Sequence, residues 1–480
     1  MRTMVPEFAV IGHPNEGKSS VVSTLAEDDT VRISPYPGET VVCRTYPVMI
    51  DGREVIRFTD TPGFQAPRKT LDWFQAYDGA PDAAVTAFIQ AHKDDDLFRD
   101  EIELMAPLKK GAGIIYVADA SRPLRKVDTY EMEILRLTGL PRMAIINAKS
   151  SEYDYTDQWK AEFRKHFNAI RIFNAHNATY SERILLLESL KHIDQEWQPA
   201  LDMVISAFKQ DWDKRNAFVA DVVLNLLSDV VSHEVSLPYK TDREKKETRK
   251  KLEEKYVKGL DAIEKKAHRT IRGLFKHNIF DIELPADSVV RQTIADQSTW
   301  QVLGLTRKQV VTAAAAIGGS AGALLDVTVL GHSLGMFALL GGAILGGSAY
   351  FGGEKIMKTR VKGMRLGKYR MSIGPADSIQ LMMVYLDRAF IYYTHVINWA
   401  HGRRDHHGVK ERAVTPKSSK IGMTSQLDPK DIRLLTQFFT MIVKSRTDLG
   451  DEVKKKLTTA IKSWLTRVTE TQSSSETLLS

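Results

Sequence analysis

Ten residues near the amino terminus, Ile11-Gly12-His13-Pro14-Asn15-Glu16-Gly17-Lys18-Ser19-Ser20, constrain this chain more than any other stretch, because they follow directly on the apolar run Phe8-Ala9-Val10-Ile11. A glycine, four residues and then Gly17-Lys18-Ser19 let the main chain turn tightly and aim its N–H groups at phosphate oxygens. Lys18 reaches the outer phosphates as a point charge, and Ser19 offers a hydroxyl to Mg²⁺. Ser20, Val21, Val22, Thr24 and Leu25 continue as a helix whose positive end faces the anion. Strand, loop and helix come in the order this pattern requires. The expected ligand is a nucleoside triphosphate cradled by Asn15, Glu16, Gly17, Lys18, Ser19 and Ser20.

Two further pieces stand at the distances a nucleotide switch needs. Asp60-Thr61-Pro62-Gly63 closes the strand-like stretch Glu54 to Thr59; Asp60 is placed to hold Mg²⁺ through water, and Gly63 to offer its N–H to the terminal phosphate. Between cradle and Asp60, Pro37-Gly38-Glu39-Thr40 precedes the run Val41 to Ile50, and Thr40 is the candidate for a second hydroxyl on Mg²⁺. Asp51-Gly52 between two β-rich runs predicts a two-residue hairpin, with antiparallel neighbours at one sheet edge.

These three motifs together resemble the Era/TrmE group of translation-factor-class GTPases, with Pro14-Asn15 the most telling pair. The resemblance implies GTP and GDP as ligands and Lys18, Thr40 and Gly63 as the catalytic set. It also implies that Asn15 helps hold a monovalent cation, usually K⁺, against the phosphates in place of an arginine finger. Phe64 follows Gly63 where many switch GTPases carry a water-orienting glutamine, and a phenyl ring cannot orient water by hydrogen bonding. Intrinsic hydrolysis is therefore expected to be slow, and accelerated by K⁺, by a partner, or by a homodimer across the nucleotide face.

The base-recognition motif departs from the expected Asn-Lys-x-Asp. Here Met143 to Ile146 runs into Asn147-Ala148-Lys149-Ser150, with lysine displaced by one and no closing aspartate. Serine does not accept two guanine donors as a carboxylate does. Asn147 on the base edge and Lys149 stacked over the ring remain the candidates, with Glu152 or Asp154 supplying charge in a shifted register. Ala175, after the strand Ile170 to Phe173, stands where a main-chain N–H contacts the base oxygen.

Ile114 to Val117 and Met143 to Ile146 are continuous apolar runs of the kind that helices cover on both faces. Helical stretches Thr129 to Leu137 and Tyr155 to Phe167 alternate with them, so residues 1–180 read as a doubly wound α/β domain with nucleotide at the carboxyl ends of its strands. Helical material from Leu71 to Leu108 reads as an insertion after the second switch, either a lid or a partner surface.

The chain has 480 residues, too many for one such domain. After Tyr180 it reads as helical, with no strand-like alternation. Residues 181–300 carry a long charged helix between Lys240 and Lys276, and residues 301–400 an apolar, glycine-rich stretch from Val310 to Gly353 that divides into two limbs around Asp326 and His332. Small residues at its spacing suit a close helical hairpin, entering lipid or buried in a soluble fold. Lys355, Lys358, Arg360, Lys362, Arg365, Lys368 and Arg370 follow it, attracted to anionic lipid heads or to RNA phosphate. Net charge is +7.

The helix Leu381 to Tyr393 and its basic end, His401 to Asp405, are similar to the C-terminal region of bacterial GTPases carrying domain of unknown function 3482. Residues 401–480 read as a polar linker, short helices and a tail disordered from Thr471. Cys43 is the sole cysteine, which excludes an internal disulfide and fits a reducing compartment. With no leader read before the first strand, the expected setting is cytoplasmic, at the inner membrane through a lipid or membrane-protein partner. RNA association is the alternative, and a soluble nucleotide-binding scaffold a third reading.

Overall fold

The computed structural model describes residues 5–26, 42–147, 155–173, 180–275, 297–316, 355–361, 364–376, 378–397, 422–444 and 450–477, together with Ser288, Val290 and Ile294. The chain divides into two units, one of Met1–Asp213, Ile397–His406 and Thr469–Ser480, the other of Lys214–Val396 and His407–Val468.

In the first unit the elements are β1 (Glu7–Ile11), α1 (Lys18–Ala26), β2 (Arg44–Ile50), β3 (Arg53–Asp60), α2 (Pro67–Ala76), α3 (Ala84–His92), α4 (Arg99–Lys109), β4 (Gly113–Asp119), α5 (Lys126–Leu137), β5 (Arg142–Asn147), α6 (Thr156–His166), β6 (Ala169–Ile172) and α7 (Tyr180–Leu190). The sheet order is β2-β3-β1-β4-β5-β6. Its strands pair in parallel except at the β2–β3 hairpin. That hairpin turns through Asp51 and Gly52, with φ of +49° and +75°. Positive φ at both turn residues matches the twist of the flanking strands, which is why an Asp-Gly pair sits there.

Alternate residues of each central strand supply opposite cores. Ala9, Ile11, Ile114, Tyr116, Ala144 and Ile146 meet side chains of α2 to α6, among them Phe74, Phe88, Leu104, Met132 and Trp159. Phe8, Val10, Ile115, Val117, Met143 and Ile145 meet Val21 and Leu25 of α1 and Leu186 and Leu187 of α7. Burial of each large side chain contributes about 1.5–3 kcal/mol, so both layers are needed to hold the strands' carboxyl ends in register. The material expected as an insertion is α2, α3 and α4, and its inner face belongs to the first of these cores.

A long helix, α8 (Gln198–Ser232), leads into the second unit. There the structure corrects the expectation that no strand follows Tyr180: β7 (Val235–Tyr239), β8 (Lys355–Val361) and β9 (Met364–Ile373) form an antiparallel sheet in the order β7-β9-β8. Lys355, Lys358, Arg360, Arg365, Lys368 and Arg370 thus lie on paired strands, and Lys362 lies outside the described residues. Tyr239 and Met371 pack on Leu252 of α9 (Asp242–Leu274), the charged helix expected from the sequence. Its buried residues Leu252, Tyr256, Leu260, Glu264, Ala267 and Ile271 make one stripe at helical spacing, apolar but for Glu264, and the other charges lie off it.

The remaining helices are α10 (Gln297–Val302), α11 (Arg307–Ala316), α12 (Ile379–Ile397), α13 (Pro429–Val443) and α14 (Gly450–Thr477). The last continues through residues 471–477, correcting the expectation of a tail disordered from Thr471. Most of the apolar glycine-rich stretch, residues 317–353, lies outside the described residues, and among those described no helix is long and apolar enough to cross a membrane. In the middle of apolar α12, Asp387 accepts from the N–H groups of Gly304 and Thr424, each at 2.7 Å. Next to it, Arg388 forks onto Glu264 at 2.6 and 2.8 Å, with all three residues buried. Burial and the Arg388 charge push His268, stacked on Tyr392 at 3.8 Å, down to about 3, so its ring stays neutral. Removing one member of a buried ion pair strands the other charge. Arg388→Met is expected to lower the unfolding free energy of the second unit by about 3–5 kcal/mol in urea titration. Adding Glu264→Leu to it should recover most of that loss.

Candidate functional site

The phosphate loop springs from the end of β1 and enters α1 at Lys18. At Gly12 the main chain has φ +149°, and a Cβ there would fall 2.2 Å from the carbonyl oxygen of Val117. No side chain fits this approach, so β4 can press against the loop only because the residue is glycine. Asn15, exposed at the crown, adopts φ +67°, a left-handed conformation that asparagine tolerates better than most residues.

Inside the turn the Lys18 ammonium donates to the carbonyls of Gly12 at 3.0 Å and His13 at 3.2 Å, and the residue is 8% exposed. The Ser19 hydroxyl donates to Asp60 Oδ2 at 2.7 Å, joining the first turn of α1 to the end of β3. Two hard oxygens in contact at a helix N-terminus suit Mg²⁺. Thr61 donates to the Val10 carbonyl at 2.8 Å and so fixes the same strand end against β1. Beyond it, a Cβ at Gly63 would lie 2.7 Å from Pro14 Cδ, so the loop after Asp60 rests on the cradle. The structure therefore brings Asn15, Gly17, Lys18, Ser19, Ser20, Asp60 and Gly63 together.

Asn147, at the end of β5 and fully buried, donates from Nδ2 to the main-chain carbonyl of Glu16 at 2.9 Å. The strand that leads to the base-side loop is thereby tied to the phosphate loop. Thr40, Lys149 and Ala175 lie outside the described residues, as do Ser150, Glu152 and Asp154. Phe64 is in the core, 2% exposed, while Gln65 beside it is exposed.

Sequence reasoning missed how Glu16 is used. Its carboxylate is buried, accepts from the Asp119 N–H, and pairs with the Arg122 guanidinium, whose Nε lies 2.7 Å from Glu16 Oε1. Arg122 also forks onto Asp128 of α5 at 2.7 and 2.9 Å and lies over the Trp159 ring at 5.0 Å. Burial opposes both charges, but the reciprocal hydrogen bonds prevail: the Arg122 guanidinium is held above its ordinary range and the Asp128 carboxyl below the usual 3.8. A second tether joins His13 Nδ1 to Glu131 Oε1 at 3.2 Å, and the Tyr116 hydroxyl donates to Glu131 Oε2 at 2.9 Å. Burial and the Glu131 charge raise the Tyr116 hydroxyl well above its ordinary range, so it remains a donor. The one sequence signal for either network was acid in the first two turns of α5.

With this geometry in place, comparison with known proteins adds the following. Residues 7–148 match the family model described as 50S ribosome-binding GTPase, and residues 160–465 match the domain of unknown function DUF3482. The GTPase Era of Dinoroseobacter shibae is 31% identical over 132 residues, which is 26% of this chain and 41% of that protein. The GTPase Era of Ureaplasma parvum is 22% identical over 272 residues, 55% of this chain and 79% of that protein. Among solved structures, an Aquifex aeolicus Era variant bound to GDP and aluminium fluoride aligns over 56% of this chain and 89% of its own, at 16% identity and a TM-score of 0.28.

Lys18→Ala is expected to weaken triphosphate binding about 100-fold, near 2.7 kcal/mol, with the circular dichroism spectrum unchanged. Arg122→Ala leaves Glu16 and Asp128 short of their counter-charge; because Arg122 is partly exposed, the expected loss in denaturant is about 2–3 kcal/mol. The Asp128 contribution is fully present above the unfolded carboxyl value and is lost as pH falls through its lower folded value. A thermal series from pH 5 to pH 2 should therefore show wild type losing stability more steeply than Asp128→Asn.

Proposed function

We propose a function for a chain that belongs to the family described as domain of unknown function 3482 and carries an Era-like G domain: it binds and hydrolyses GTP as a molecular switch. The observation that carries this reading is the Ser19–Asp60 contact at 2.7 Å beside the Lys18 ammonium, the group of side chains a Mg²⁺-triphosphate requires. Bound Mg²⁺ neutralises charge on the phosphates. Lys18 stabilises charge on the outer phosphoryl oxygens, Ser19, Thr40 and Asp60 organise the ion, and Gly63 offers its N–H to the terminal phosphate. Thr40 and Gly63 thereby make the segments around them sense whether that phosphate is present. Asn147 supports guanine recognition by holding β5 on the cradle; Lys149 and Ala175 complete the base side.

Phe64, turned into the core, leaves no water-orienting side chain immediately after Gly63, which supports slow turnover. Asn15 on the exposed crown is proposed to hold K⁺ there, supplying positive charge, with a homodimer across this face as a further source of acceleration. Phosphate release in K⁺ is expected to exceed that in Na⁺ about tenfold or more, and Asn15→Ala to remove the difference. GTP should outcompete ATP for the site; preference for ATP overturns the assignment.

The second unit is proposed to report nucleotide state at the cytoplasmic face of the inner membrane. The apolar stretch Val310 to Gly353 and the basic run after it support this. A second reading, RNA association, is favoured by one structural fact: β8 and β9 set Lys355 opposite Arg370 and Arg360 opposite Arg365. Like charges directly opposite destabilise a ladder, and a phosphate chain relieves them. Flotation with anionic liposomes against RNA filter binding over a salt series separates the two, and absence of lipid association removes the first.

A further inference from the structure

Helix α4 touches both segments that carry the proposed nucleotide-sensing residues. The Glu101 carboxylate is fully buried, and its Oε1 accepts from the main-chain N–H groups of Gln65 at 2.7 Å and Ala66 at 2.5 Å. These are the residues just before α2 begins, where main-chain donors lack partners inside the helix. Ala66, at the cap position, has no side-chain acceptor of its own. Two residues along α4, Glu103 accepts from the Cys43 N–H at 2.8 Å through its carboxylate, and its carbonyl accepts from the Cys43 thiol at 3.2 Å. Cys43 lies three residues after Thr40, and Gln65 two residues after Gly63.

Packing between these anchors is apolar. Phe64 belongs to the same buried cluster as Leu104 and Met105 of α4, with Phe74 of α2 and Phe88 of α3. The loop after Asp60 is therefore pinned at Phe64 by burial and at the next two residues by a charged acceptor. Glu101 Oε2 is buried with no hydrogen-bond partner among the described residues. A buried carboxylate that leaves one oxygen unmatched is costly, so the two main-chain bonds that Oε1 accepts are what holds its charge in the core.

We propose that Glu101 is a positioning residue for phosphoryl transfer. From the inserted helix it holds the main chain after Gly63 against the phosphate loop, while Glu103 holds the segment after Thr40 from the same helix. This rests on the reading that the first unit hydrolyses GTP. Misplacement of a positioned group by about an ångström costs on the order of 100-fold in rate, whereas ground-state binding through Lys18 is untouched. Glutamine at position 101 keeps an oxygen that accepts both N–H groups; alanine does not.

The test uses the full chain with GTP, Mg²⁺ and K⁺, measuring single-turnover phosphate release, GDP affinity and amide hydrogen exchange at residues 64–67. Glu101→Ala is expected to slow release at least tenfold, to leave GDP affinity within threefold, and to speed exchange at Gln65 and Ala66. Glu101→Gln should restore release to within about threefold. Faster exchange with unchanged release overturns the positioning role and leaves the hydrolase reading standing. A slow Glu101→Gln variant with wild-type exchange also overturns it, since the loop would then be held without effect. No release from the unsubstituted chain, with normal exchange at Gln65 and Ala66, overturns the hydrolase reading and this role with it.

Discussion

A carboxylate buried inside the phosphate loop is the constraint on which the first unit depends. Glu16 stands where the loop must present main-chain donors outward, and its own charge is shut away from water. That charge is tolerated because the Asp119 N–H at the end of β4 and Arg122 in the loop after it meet it, and Asp128 and Trp159 hold Arg122 in turn. The Glu16 carbonyl then serves Asn147. Phosphate loop, β4 loop and the end of β5 become one body, so the positions of Lys18 and Ser19 are inherited from the sheet rather than set by a free loop. Preorganisation of this kind lets a few charged groups act without first rearranging.

The cradle and the doubly wound sheet were legible because their signals are local. Gly12, Gly17, Lys18 and Ser19 sit within one turn of chain, and runs such as Ile114 to Val117 advertise burial on both faces without reference to anything distant. The pairings that lock the site were not legible. Glu16 meets Arg122 and Asn147 across more than a hundred residues, and Glu101 meets Gln65 across a whole pair of helices. No periodicity encodes such matches. They arise when the fold brings strand ends together, and only then does an acidic residue acquire its donor.

The second unit teaches the same point from the other side. β7 is five residues long and contains Pro238, and its partner β9 arrives far along the chain carrying Arg365, Lys368 and Arg370. Composition alone made that run a charge cluster. Pairing Leu237 with Met371 turned it into a ladder whose apolar members rest on α9. Helix α12 was readable as a helix, but not the purpose of Asp387 and Arg388 at its centre. Each is a polar fastener: one ties the loops at Gly304 and Thr424, the other Glu264, and a Cβ at Gly422 would overlap the Asp387 carboxylate.

The surroundings of Cys43 have a consequence for how the molecule weathers oxidants. Burial, with Glu103, Asp60 and Glu7 nearby, pushes this thiol up to about 12. Thiolate is the form that peroxides and electrophiles attack, and a thiol raised this far stays protonated near neutrality. Kept protonated and hydrogen-bonded to Glu103, the chain's single sulfhydryl is a poor target for oxidants where it stands beside α4.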